Sequence, residues 1–229
     1  MTHTDVSEES NLLMEQFSNQ LLVESVIQCI ESKHHKNNLD KIESILEQIN
    51  STCKESVKPY YLEESTTTEK LDPMVSVTKQ LRHGWKTGGG LTLSLTESPK
   101  WEQYIDQSRN IRYKIHSWIM LDSLLRADGV SESNEYLDYA VVIADDWITR
   151  FVINREKDDF AWYDMAVGQR ATKLSYMIRR LISIGKDKQQ IFRFIIAAQI
   201  HFVELLDEER IATHSNHGLF QMAGLLSLG

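Results

Sequence analysis

Asp164-Met165-Ala166-Val167-Gly168-Gln169-Arg170-Ala171-Thr172-Lys173-Leu174-Ser175-Tyr176-Met177-Ile178-Arg179-Arg180-Leu181-Ile182-Ser183-Ile184 is the stretch that decides the fold. Its apolar positions Val167, Ala171, Leu174, Met177, Ile178 and Leu181 recur with a helical period, no proline interrupts them, and Gly185 follows as a stop. The same pattern continues on both sides. Asn134 to Phe151 carries Leu137, Ala140, Val141, Ala144, Trp147, Ile148 and Phe151, and Lys188 to Leu206 carries Ile191, Phe194, Ile195, Ala198, Phe202 and Leu205. Trp101 to Arg126 reads as one further helix, closed by Ala127-Asp128-Gly129. Strand-like alternation is confined to Leu91 through Leu95. The class is all-α, built of stacked antiparallel helical hairpins.

Upstream, Asn11 to Ile30 and Leu39 to Ile49 are helical in period and separated by the polar His34-His35-Lys36-Asn37-Asn38, so residues 1–58 read as an N-terminal helical hairpin. Residues 59–100 read as a loop or linker region, rich in Thr and Glu between Pro59 and Pro73. Residues 101–229 are the main helical region, in one continuous domain with the rest. The Gly88-Gly89-Gly90 run lacks the Lys and Ser/Thr that a phosphate loop needs after its glycines and reads as a flexible loop. Before it lies the basic and aromatic group Arg82, His83, Trp85 and Lys86, in which His83 and Trp85 are candidate sugar contacts.

A net charge of −8 over 229 residues argues against nucleic acid and anionic membrane surfaces as partners. Cys29 and Cys53 make no disulfide framework, no apolar run reaches membrane-spanning length, and the N-terminus has no basic-then-apolar leader. As written, the chain reads as cytoplasmic.

The densest polar chemistry is Thr213-His214-Ser215-Asn216-His217-Gly218-Leu219-Phe220-Gln221. Thr213 or Ser215 can cap a helix beginning there, which puts Asn216 and His217 in a first turn favourable to anions. His217 and Gln221, four apart, share a face. The same composition also suits an ordinary turn and cap. A metal reading would use His214 and His217 with His201 or Glu204, and no cofactor is indicated.

Ser215-Asn216-His217-Gly218-Leu219-Phe220-Gln221 resembles the Asn-His motif of the heparinase II/III-like and alginate-lyase-like polysaccharide lyases. Trp162-Tyr163-Asp164-Met165-Ala166-Val167-Gly168-Gln169-Arg170 resembles their Trp-x-Asp-x-Ala-x-Gly-x-Arg segment, and Arg112-Tyr113 with His116-Ser117-Trp118 is a weaker third likeness. The resemblance implies an α/α toroid, here incomplete, and β-elimination of a uronic-acid polysaccharide. It implies Asn216 as the amide that neutralises the substrate carboxylate and His217 as its neighbouring histidine. Gln221, Arg170, Trp162 and Tyr163 are then candidate substrate contacts, although Arg170 could equally pair with Asp164 or Glu204 inside the fold. Met165 stands where such lyases often carry histidine.

The family's acid–base tyrosine lies beyond the Asn-His pair, so this chain alone is expected to be inactive unless Tyr113, Tyr163 or Tyr176 substitutes. The implied partner is an acidic polysaccharide or oligosaccharide, and related proteins are often exported. The apolar C-terminal helix is expected to support a homodimer. A non-catalytic carbohydrate-binding or helical interaction module and a metal-dependent hydrolase are the alternatives.

Overall fold

The computed structural model describes residues 72–88 and 90–228, so the hairpin expected in 1–58 lies outside the described residues. Seven α-helices and one two-stranded sheet make up the described part, in keeping with an all-α protein.

The first helix, α1 (Pro73–His83), falls inside the stretch expected to be loop. Its start has an identifiable cause: Asp72 Oδ1 accepts the Met74 amide at 2.8 Å, and Pro73 occupies the first turn, where its missing N–H costs nothing. Strands β1 (Trp85–Lys86) and β2 (Thr92–Leu93) pair antiparallel, Trp85 opposite Leu93, and both of these side chains point into the core.

The single helix expected from Trp101 to Arg126 is broken. A 3₁₀ turn (Trp101–Tyr104) precedes α2 (Arg109–His116), and a second 3₁₀ turn (Ile119–Leu121) leads into α3 (Asp122–Asp128). The break is Trp118, left-handed at φ 57°. That conformation is costly for a residue with a side chain. Here it accompanies complete burial of the indole, edge-on to Trp147 at 5.4 Å. Helix α4 (Glu135–Trp147) runs into a π turn (Ile148–Ile153).

Helices α5 (Asp164–Ser183) and α6 (Lys188–Leu206) form a hairpin, with Asp187 capping α6 through the Gln190 amide at 3.0 Å. Helix α7 (Asn216–Leu228) packs on both. Two glycines set the α5–α7 distance. A Cβ on Gly168 would stand 2.3 Å from the Phe220 carbonyl oxygen, and one on Gly224 would stand 2.6 Å from that of Gly168. The two backbones touch with no side-chain layer between them. Because Asp164 meets His217 and Gly168 meets Phe220 to Gly224, α5 and α7 run parallel, with both N-termini at one end. On the outer face of α7, Leu219 and Leu226 are exposed. Among the described residues no helix is long and apolar enough to cross a membrane.

Candidate functional site

The shared N-terminal end of α5 and α7 collects most of the chemistry. The chain enters α5 through an extended Tyr163, and Asp164 begins the helix, its Oδ1 accepting the Met165 amide at 2.5 Å. The chain enters α7 through Ser215, whose Oγ accepts the His217 amide at 3.2 Å. These two starts are joined by His217 Nδ1 and Asp164 Oδ2 at 3.1 Å. A carboxylate can only accept, so Nδ1 carries a proton, and in the neutral imidazole the lone pair is then on Nε2. Both side chains are half-buried, and Asn216 beside them is exposed.

Tyr163 is the hub of the remaining contacts. Its ring meets the His217 imidazole edge-on at 5.8 Å and the Tyr113 ring at 6.2 Å. Phe160 lies 5.4 Å away on the other side, beneath the Arg112 guanidinium at 4.4 Å. Arg109, at the start of α2, donates from Nη2 to the Tyr163 hydroxyl at 2.7 Å. With its oxygen accepting from Arg109, the Tyr163 phenol proton is free to be given elsewhere. Tyr113 is held by a bond from Gln169 Nε2 at 2.9 Å, and burial pushes its phenol up to about 12. Tyr113 therefore stays protonated.

The loop before α5 is pinned from below. Asp158 Oδ1 accepts the Phe160 amide at 2.8 Å and Arg112 Nη2 at 2.9 Å, with His116 Nε2 at 3.4 Å. Burial alone would raise Asp158, but His116, the Phe160 amide and Arg112 together hold it well below the usual carboxylate range. His116 in turn accepts the Trp147 indole N–H at 3.2 Å on Nδ1.

Of the residues singled out from sequence, Asn216, His217 and Tyr163 come together at this surface. Gln221 does not join them. It is buried, and its amide accepts from Ala212 N and donates to the Arg210 carbonyl, both at 2.9 Å, so it fastens the loop ahead of α7. Arg170 is wholly buried and forms neither of the ion pairs considered for it: Asp164 holds His217, and Glu204 holds Arg210. Trp162 is half-buried, packing against His201 at 5.1 Å and beneath Arg170 at the edge of the core. Trp85 is a core side chain on β1, and His83 is exposed at the end of α1.

Tyr176 is bonded to Asp128 at 2.6 Å, three turns of α5 away from Asp164. The His201, His214, His217 grouping is undone by His201. That imidazole is fully buried, with Nε2 accepting from Arg170 at 2.9 Å and Nδ1 bonded to the Ala197 carbonyl at 2.7 Å, which leaves no nitrogen for a metal. Sequence reasoning missed Asp164 as the partner of His217, together with Arg109 and Phe160. Asp164 carried a signal, standing inside the quoted Trp-x-Asp segment; Arg109 and Phe160 carried none.

Comparison with family models, with curated proteins and with solved structures found no match to this chain.

Proposed function

We propose that the α5–α7 end is an acid–base site for β-elimination of a uronate-containing polysaccharide, in an α/α toroid of the heparinase II/III-like kind. The observation that carries this reading is the Asp164–His217 pair with the Tyr163 phenol against it. The parallel α5 and α7, joined by a returning α6, are compatible with the inner and outer helices of a toroid.

The roles follow from hydrogen bonding. His217, with Asp164 accepting at Nδ1, takes the proton beside the substrate carboxylate on its free Nε2. The electron pair moves toward the carboxylate, where the exposed Asn216 amide would hold the developing charge. The glycosidic C–O bond at the neighbouring carbon breaks as a carbon–carbon double bond forms. The leaving oxygen takes the Tyr163 proton, which Arg109 leaves unengaged by donating to the same hydroxyl. No water is consumed. In this reading Tyr163 takes the place of the tyrosine expected beyond the Asn-His pair, so turnover by this chain becomes the expectation.

The unsaturated product absorbs in the ultraviolet, so turnover can be followed directly on alginate, heparan sulfate, hyaluronan or pectate. Turnover on one of these should fall about 10²–10⁴-fold in His217→Gln and in Tyr163→Phe. Asn216→Ala should lower kcat more than it weakens binding. Binding of an acidic oligosaccharide with no product from any polymer would replace this reading with a non-catalytic carbohydrate-binding module. Turnover indifferent to both His217→Gln and Tyr163→Phe would refute the assigned chemistry.

A further inference from the structure

We propose that Arg170 is a positioning residue that holds Tyr163 and Asp164 in register with Tyr113, by bonding the backbones of the two segments that carry them. The inference rests on the acid–base reading of the α5–α7 end.

Arg170 is an unusual core residue. It is wholly buried, yet no carboxylate lies within ion-pair reach of it among the described residues. Desolvating a guanidinium without a counter-charge is expensive, and a merely space-filling role would be met better by Met or Leu. Its donors go instead to three separate segments. Nη2 reaches the Ala161 carbonyl and Nη1 the His116 carbonyl, each at 2.5 Å, while Nε reaches His201 Nε2 at 2.9 Å. The indole of Trp147 lies 4.1 Å from the guanidinium carbon, and Trp162 and Trp118 close the cage.

The addresses of these bonds matter more than their number. Ala161 lies just ahead of Tyr163 and Asp164, on the loop that delivers both to the surface. His116 ends α2, the helix that carries Tyr113 and Arg109. The rigid planar fork therefore fixes the spacing between the Asp164–Tyr163 corner and the Tyr113–Arg109 helix. Neighbouring Gln169 repeats the link on the outer side through the Tyr113 hydroxyl at 2.9 Å. His201 sets the plane of the fork: its Nδ1 is bonded to Ala197, so its Nε2 is left as acceptor.

The test uses the full chain with Arg170→Lys, which keeps the charge and loses the fork, and Arg170→Met, which fills the cage and loses every donor. The imidazole N–H resonance of His217, assigned by its loss in His217→Gln, reports the contact with Asp164. In both Arg170 variants it should move toward its position in Asp164→Asn. On whichever uronate polymer the wild type cleaves, kcat should fall at least about tenfold with KM nearly unchanged, as misorientation predicts. His201→Leu removes the acceptor that orients the fork and should move the same resonance while leaving Arg170 in place, which keeps the proposal testable if the Arg170 variants fail to fold. A wild type that cleaves no uronate polymer sinks the lyase reading, and the resonance still decides the positioning role. A folded Arg170→Met or His201→Leu protein with the His217 resonance unmoved overturns the proposal and makes Arg170 a stability residue only.

Discussion

At the scale of single residues, the most informative side chain is Gln221, because its amide does two jobs that nothing nearby can take over. It accepts from Ala212 and donates to the Arg210 carbonyl, closing the loop between α6 and α7. Gln221→Ala removes two half-buried bonds, and at about 0.5–1.5 kcal/mol for each the expected loss is about 1–3 kcal/mol. Urea unfolding of the purified variant measures it. Gln221→Glu should recover only the bond from Ala212, because a carboxylate cannot donate to Arg210, and should fall between the two. Equal stability of all three proteins would mean that the loop is held by something other than this amide. Local sequence could show that Gln221 and His217 lie on one helix, four residues apart. Whether a side chain on that helix turns inward depends on what the helix packs against, and that was not legible.

Among the elements, the α5–α7 contact is the one on which the site depends. Gly168→Ala would drive a methyl group to 2.3 Å from the Phe220 carbonyl oxygen, a backbone atom that no rotamer change can move aside. The expected cost is about 1–3 kcal/mol. A thermal melt of Gly168→Ala beside Gly185→Ala tests the mechanism, since a Cβ at Gly185 meets no atom and only its φ of 66° resists the change. If the two variants lose equal stability, close approach is not what Gly168 provides.

The helices themselves were largely readable. The stripe from Val167 to Leu181 marks α5, and α6 begins and ends at the expected Lys188 and Leu206. The break at Trp118 was not readable, because it is imposed by where the indole is buried and no local breaker residue marks it. The pairing of Asp164 with His217 spans 53 residues and follows from a glycine-to-glycine approach, so periodicity within either helix could not reveal it.

For the whole molecule, the buried imidazoles set the response to acid. Burial, with the charge of Arg170 beside it, holds His201 well below the ordinary imidazole range. The unfolded chain takes up that proton near pH ~6.5, whereas the folded protein does not. Stability is therefore complete above this value and is lost as pH falls below it, by up to about 1.4 kcal/mol per pH unit for the one site. His116 acts in the same direction, lowered by burial and partly restored by Asp158. Melting temperatures between pH 7.5 and 5 should decline, and His201→Gln, which keeps an acceptor for Arg170 but cannot titrate, should flatten the decline. An identical slope in that variant would assign the acid response to other groups.

The glycine contact also makes α7 a lever. Its fulcrum lies near Gly224, seven residues or about 10 Å along the helix from His217. A tilt of about 10° at that fulcrum would swing the imidazole by roughly 2 Å. That is enough to break a 3.1 Å contact with Asp164. Whatever wedges the two helices apart near Gly224 would thus part the histidine from the aspartate at a distance, touching neither of them.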